Sequence, residues 1–259
     1  MSIHVKNNWW QTLFDDIYLM TDARSVCDED ITCREIDLIC ELLSIKRHHA
    51  ILDLCGGHGR HSFEFFARGY TNCTLLDYSQ YLVDHAKNYA DRHSVTIDII
   101  RSDARETGLP ESSFDRICIL GNSLGYICEK DADSRIMDEV NRLLRSGGKL
   151  LIDISDGDYV TESFTPMAWH EIEDDIVVCR QRELRDGSVH AREMVLSKKK
   201  GLIRDENYSI RLYNEKSLTS LLGQSGFSDI KIHKGFKAHR KKGDYGFMNN
   251  RMVAVCQKK

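Results

Sequence analysis

The chain has 259 residues, with 36 Lys plus Arg against 40 Asp plus Glu, a formal charge of −4, 41% hydrophobic residues and 29% charged residues. That length accommodates one large α/β domain more simply than two small ones, and the apolar content excludes a disordered chain. The near-balanced charge excludes a global field that would draw the protein to nucleic acid or to an anionic membrane. The nine cysteines form no Cys-x-x-Cys pair, and Met1-Ser2-Ile3-His4-Val5-Lys6 carries no apolar signal core. No apolar run nears the roughly 18 residues of a membrane span, so free thiols, a cytoplasmic location and no metal centre are expected.

In chain order, the segment from Trp9 to Met20 places Trp10, Phe14, Ile17 and Tyr18 at near-helical spacing, which predicts a short helix with one aromatic face. Thr32-Cys33-Arg34-Glu35 reads as a capping box opening a helix whose Ile36, Ile39, Leu42 and Leu43 point one way. Residues 1–48 are thus a helical cap. From Ala50, short apolar strands alternate with helices: strands at about 50–54, 72–77, 95–101, 115–121 and 148–154, and helices at about 60–68, 79–92 and 131–144. Gly69 and Gly147-Gly148 serve as helix stops. This pattern over residues 49–155 predicts a doubly wound, Rossmann-like parallel sheet.

From about 168 to 213, apolar and polar residues alternate with a period near two, and Asp186-Gly187 marks a hairpin turn. Residues 156–213 are therefore read as an antiparallel, β-rich insertion. A helix at about 214–224 and strands near 228–234 and 251–257 make residues 214–259 the C-terminal part of the sheet. The expectation is a seven-stranded α/β sheet in a single domain spanning 1–259.

The run Ile51-Leu52-Asp53-Leu54-Cys55-Gly56-Gly57-His58-Gly59-Arg60 passes from strand through a glycine turn into a helix, where free N–H groups favour a negatively charged ligand group. The third glycine of the dinucleotide fingerprint would fall at Ser62, which argues against a pyrophosphate. Asp77 closes the second strand, 18 residues after Gly59, where a carboxylate can accept two hydrogen bonds from a ribose diol. Asp103 follows the third strand and can accept from the exocyclic amine of adenine. Each feature alone has a structural alternative as a tight turn, helix cap or loop acid, yet together they occupy consecutive strand ends, where open α/β sheets bind ligands.

On these residues the sequence resembles the class I S-adenosylmethionine-dependent methyltransferases, from about residue 50 to the C-terminus. The resemblance is carried by residues 53–60, Asp77-Tyr78-Ser79, Ser102-Asp103-Ala104 and Leu144-Arg145-Ser146-Gly147-Gly148-Lys149-Leu150. Arg211-Leu212-Tyr213-Asn214, Leu221-Leu222 and Gly226-Phe227 are similar to the family's final helix and strand. It implies S-adenosylmethionine as cofactor, with its amino-acid end in the loop around Gly57 and Gly59, its ribose on Asp77, and its adenine on Asp103 and the Ala104 N–H. It also makes residues 49–155 the cofactor-binding core, with Asp53, Cys55, Gly56, Tyr78, Ser79, Gly121 and Asn122 among the cofactor-binding residues; Arg60 joins them as a helix-start contact for a carboxylate and Tyr18 as part of the aromatic segment. Cys55 stands where the family often has glycine, and Ser146 where it has proline.

The resemblance further implies that Leu120-Gly121-Asn122-Ser123-Leu124-Gly125-Tyr126 faces the methyl group, which makes Asn122 and Tyr126 candidate acceptor contacts; a turn-shaping role and a packing role are their alternatives. The chain's only prolines, Pro110 and Pro166, leave no Asn/Asp-Pro-Pro-aromatic or Pro-Cys motif, which lowers two nucleic-acid readings. His170 is a candidate general base because imidazole titrates near neutrality, and Tyr213 is a second candidate; both also read as packed or surface residues. Trp10, Phe14 and Tyr18 either close over the sulfonium as a lid or pack their helix onto the sheet. Lys198-Lys199-Lys200 and Lys237-Ala238-His239-Arg240-Lys241-Lys242 read as solvated turns ahead of phosphate contacts. The expected activity is N- or O-methylation of a small-molecule acceptor by a monomer or homodimer. The alternatives are an enzyme of the same fold that cyclises or eliminates the aminobutyryl arm, a tRNA or protein methyltransferase, and a binding protein without chemistry.

Overall fold

The structure, a computed structural model, describes residues 2–237 and 250–259, the side chains of residues 23–26 excepted. A single 3-10 turn at Trp9–Gln11 precedes α1 (Asp16–Val26) and α2 (Glu29–Leu43). There follow β1 (Ile51–Leu54), α3 (Arg60–Ala67), β2 (Cys73–Asp77), α4 (Gln80–His93), β3 (Asp98–Arg101), β4 (Phe114–Ile119), α5 (Ala132–Leu143) and β5 (Leu144–Ser155). After α6 (Gly157–Glu162) come β6 (Met167–Ile172), β7 (Ile176–Arg185), β8 (Ser188–Ser197) and β9 (Gly201–Arg211), then α7 (Glu215–Gln224), β10 (Phe227–Phe236) and β11 (Arg251–Lys258).

The larger sheet has seven strands in the order β10-β11-β5-β4-β1-β2-β3. β1 to β5 pair in parallel, while β11 runs antiparallel to both β5 and β10. The chain moves outward from β1 to β3 and then returns to β4 on the other side of β1. Strand order therefore reverses at the β1–β4 pair, which opens a crevice at their C-terminal ends. β1 is buried along its whole length, Ile51 to Leu54, because helices cover both faces of the sheet. Ile36, Ile39 and Leu43 of α2 and Phe65 of α3 pack on one face against Ile51, Cys118 and Leu151. Met137 and Val140 of α5 pack on the other against Leu52, Ile117 and Leu150, together with Trp9 and Trp10.

The second sheet has four antiparallel strands in the order β6-β7-β8-β9. Its central hairpin turns at Asp186 and Gly187, with φ of 52° and 69°, the geometry that joins two-residue hairpins. Arg180 and Arg204 on its inner face are buried, and they meet Glu193 between them and Asp22 and Asp15 of the N-terminal region. These pairs fasten α1 to the inserted sheet.

Three local expectations are corrected. The helix expected to open at Thr32 begins one turn earlier: Asp28 is its cap and accepts from the Ile31 N–H at 2.9 Å. Acidic Glu29 and Asp30 in its first turn suit the helix dipole, and Glu35 is left for an interior role. The aromatic segment is not one helix, because Asp15 accepts from the N–H groups of Ile17 and Tyr18 and starts a new helix there. Gly147-Gly148 stops no helix, since α5 ends at Leu143 and β5 runs on from Leu144. Gly148 is needed in the strand instead: a Cβ there would come within 2.8 Å of the Arg145 carbonyl. Among the described residues no helix is long and apolar enough to cross a membrane.

Candidate cofactor and acceptor site

A cavity of about 790 Å³, its open mouth included, lies in the crevice where strand order reverses. Cys55 and Gly57 reach it from the turn after β1, Asp77, Tyr78 and Ser79 from the end of β2, and Asp103 and Ala104 from beyond β3. Gly121, Ser123 and Tyr126 border it after β4, and Trp10, Phe14 and Tyr18 cover it from the N-terminal segment. Among the described residues its charged lining side chains are Asp77, Asp103 and Asp133, all acidic.

The turn after β1 is wound through left-handed backbone at Cys55, Gly57 and Gly59, with φ of 62°, 60° and 90°. Gly56 packs on the Asp53 carboxylate, which a Cβ would approach to 2.8 Å; a Cβ at Gly59 would meet Leu75 and Phe63 at the same distance. Asp53 is wholly buried and accepts from Ser62 Oγ at 2.7 Å, and burial pushes its carboxyl up. Asp53, Gly56 and Gly59 thus shape the turn from behind, and Cys55 and Gly57 face the cavity. Burial, reinforced by Asp77, pushes the Cys55 thiol far up and keeps it neutral. Arg60 departs from its expected place on the cofactor: its guanidinium turns to Glu35 and to Thr32 Oγ1.

Asp77 accepts the Gly57 N–H on Oδ2 at 2.9 Å and the Ser79 N–H on Oδ1 at 2.8 Å. Burial lifts its carboxyl to about 6 against the pull of those two bonds. Ser79 caps α4, accepting from the Leu82 N–H and donating to the Phe14 carbonyl at 2.6 Å. Tyr78 packs on Trp10, ring centroids 4.6 Å apart. At Asp103 burial acts upward, but the Arg105 guanidinium and backbone N–H outweigh it and hold the carboxyl below its ordinary range. The same guanidinium lies 5.3 Å over the Trp10 ring.

Of the catalytic candidates, Tyr126 lines the cavity, stacked on Phe14 with centroids 5.5 Å apart. Burial drives its phenol far up. Asn122 does not line it: with φ of 67°, its N–H donates to the Asp153 carbonyl and its Oδ1 accepts from the Ser155 N–H at 2.8 Å. It shapes the turn. Tyr213 is buried behind the wall, donating to Asp133 Oδ2 at 2.6 Å. His170 stands on the edge strand β6 opposite Val178 and is not part of the lining. Sequence reasoning missed Trp9, whose ring meets Phe14, Tyr126 and Tyr208. It also missed Asp133, an acid near the start of α5 that looked like an ordinary helix residue. Gly125 was a usable signal, since a Cβ there would come within 2.7 Å of the Arg211 carbonyl. Lys198 pairs with Glu171 at 3.0 Å, and residues 238–242 of the second basic run lie outside the described residues.

Residues 51–148 match the family profile described as a methyltransferase domain. The fold is that of a S-adenosylmethionine-dependent methyltransferase from Clostridium acetobutylicum ATCC 824, with 19% identity, 93% of this chain and 96% of that one covered, and a TM-score of 0.74. The CcbJ methyltransferase from Streptomyces caelestis superposes with a TM-score of 0.76 at 16% identity, over 98% of this chain and 99% of that one. SAM-bound CalS10, an amino pentose methyltransferase from Micromonospora echinaspora, gives 0.64 at 15% identity, over 94% and 98%. Among curated proteins no sequence matches significantly. Residues 51–148 thus carry a methyltransferase domain, set in a fold shared with S-adenosylmethionine-dependent methyltransferases. Similarity to these structures is similarity of fold, and the matched domain spans β1 to the start of β5.

Proposed function

We propose that this enzyme methylates a small molecule at an amine nitrogen, as one domain in which residues 49–155 hold the cofactor and residues 1–48 and 156–213 enclose the acceptor. The observation that carries the reading is the lining of the cavity among the described residues: aromatic, aliphatic and small side chains, with acids alone as charges. Such a wall suits a neutral or basic amine beside a sulfonium and repels a phosphate. The amino pentose named for CalS10 is an acceptor of that chemistry. The cysteines, all free, fit the cytoplasm.

The lining fits the cofactor. Asp77 offers a carboxylate for the ribose hydroxyls, Ala104 a backbone N–H for the adenine, and Gly57 a surface with no Cβ for the amino-acid end. When bound, S-adenosylmethionine supplies an electrophilic methyl carbon. Phe14, Tyr18 and Tyr126, which line the cavity, would exclude water from it, while the enclosing wall would align the acceptor for in-line attack. The acceptor nitrogen would have to be unprotonated to take the methyl group, so a basic amine would first lose a proton to solvent, and a second proton would leave the methylated product. Product analysis tests this: S-adenosylhomocysteine and an N-methyl product are expected, whereas methylthioadenosine would show that the aminobutyryl arm is consumed, and an O-methyl product would overturn the choice of nitrogen.

A pH dependence follows from Asp77. Its carboxyl, lifted to about 6 by burial, must be ionised to accept from the ribose, so binding favours the charged form and lowers its pKa in the complex. Affinity for S-adenosylhomocysteine therefore rises with pH through about 6 and levels above it, falling by up to about tenfold per unit below. Asp77→Ala is expected to cost about 1–3 kcal/mol of binding at neutral pH and to flatten this profile. Calorimetry from pH 5 to 8 reads both effects, and a profile unchanged by the substitution removes Asp77 from the site.

A further inference from the structure

Behind the cavity lies a buried ion network that belongs to none of its lining. One carboxylate oxygen of Glu35, on α2, meets the guanidinium of Arg60 and His61 Nε2, the latter at 2.7 Å; the other meets the guanidinium of Arg251, on β11. Arg251 in turn forks onto Asp153 of β5, with Nε to Oδ1 at 2.7 Å and a terminal nitrogen to Oδ2 at 2.5 Å. Asp153 accepts the Gly121 N–H on Oδ2 at 3.2 Å and the Asn122 N–H on its carbonyl at 3.0 Å. The side chains of Glu35, Asp153 and Arg251 are all at most 4% exposed.

The network therefore begins at the first residue of α3, directly after the glycine turn, and ends on the turn after β4. Both of its ends are turns in left-handed backbone. Cys55 and Asn122 hold φ of 62° and 67°, with Gly57 and Gly121 of the same sign in the same turns, and such turns persist only where their surroundings fix them. Stability alone is a poor account of the network, since apolar residues of equal volume serve it as well or better without desolvating charges. What apolar residues cannot supply is a directional acceptor for the Gly121 N–H and a fixed anchor for Arg60.

We infer that Glu35 and Arg251 are positioning residues of the cofactor site, holding the turns after β1 and β4 at the separation the cofactor spans. The inference rests on the cofactor placement given above. Neither residue lines the cavity, so each acts through Arg60 or through Asp153 and the Gly121 amide.

Glu35→Gln keeps the side-chain shape and removes the charge that faces both arginines. It is expected to lower affinity for S-adenosylhomocysteine by about tenfold and to speed hydrogen exchange at the Gly57 and Gly121 amides in the free protein, while Leu75 and Leu76 of β2 exchange as in the wild type. Ile39→Ala, which removes buried atoms bordering a small void that Glu35, Asp153 and Arg251 also line, is the control for a purely structural role: it should lower the melting temperature without changing affinity or exchange at the turns. If Glu35→Gln does not fold, Arg251→Lys is read in the same way, because lysine keeps the charge and lacks the fork. Affinity within about twofold of wild type with unchanged exchange overturns the inference, as does an equal effect of Ile39→Ala. Failure of both charge variants to fold assigns the network to folding and also overturns it. A wild type that does not bind S-adenosylhomocysteine overturns the cofactor placement instead, and the exchange comparison still decides whether Glu35 holds the turns.

Discussion

Gly57→Val is expected to abolish cofactor binding in a folded protein, with a loss of at least about 3 kcal/mol, or more than roughly a hundredfold in affinity for S-adenosylhomocysteine. The backbone at Gly57 has φ of +60°, a conformation that β-branched residues avoid, and its N–H is the donor to Asp77. A Cβ built there finds only Leu82 Cδ1 within 4 Å, at 3.7 Å. The added methyl groups therefore enter the cavity more than they collide with the fold, and the damage falls on the ligand. At Gly56 and Gly59, where a Cβ would lie 2.8 Å from Asp53 or from Leu75 and Phe63, valine should unfold the turn itself. Circular dichroism and titration calorimetry on the three variants separate the cases. A folded Gly57→Val that binds like the wild type would reduce the turn to a structural one.

What was legible in the sequence was what depends on neighbours along the chain. Strand and helix alternation from residue 50, the Asp186-Gly187 hairpin and the antiparallel return at the C-terminus are each written in local period and turn chemistry. That Asp77, Asp103 and Ala104 line the cavity was legible because C-terminal strand ends near the point of reversal face the same crevice, whatever the side chain's exact direction. What failed was side-chain direction and distant partners. Arg60 sits where a cofactor carboxylate was expected, yet Glu35, 25 residues away, captures it. Glu35 itself was misread because Thr-x-x-Glu matches a capping box, while Asp28 offers the earlier cap and wins the helix start. Asn122 follows a strand end as a contact residue would, but the Ser155 N–H, 33 residues on, claims its oxygen. His170 follows the alternation of a strand whose sheet is remote from the methyl-transfer chemistry in sequence, and no local pattern tells which strand of an insertion meets the cavity.

Deleting residues 2–14 is expected to collapse the fold and not only to open the site. Trp9, Trp10 and Leu13 belong to the main core, each at most 9% exposed. Burying a large apolar side chain is worth about 1.5–3 kcal/mol, so losing this set removes a free energy comparable with the whole stability of a domain, about 5–15 kcal/mol. The segment is also tied along its length. The Ile3 N–H donates to Glu183 at 2.9 Å, Asn207 donates to the His4 carbonyl at 2.8 Å, and Ser79 holds the Phe14 carbonyl. A lid that opens for substrate would have to break these bonds and expose two tryptophans, which is a large cost for a motion repeated each turnover. The expected results are loss of a cooperative thermal transition in the truncated chain, and equal hydrogen-exchange protection of residues 9–14 in the full chain with and without S-adenosylhomocysteine. A truncated chain that melts cooperatively near the wild-type temperature, together with protection that appears only with ligand, would make the segment a lid after all, and would move acceptor entry to its hinge at Asp15.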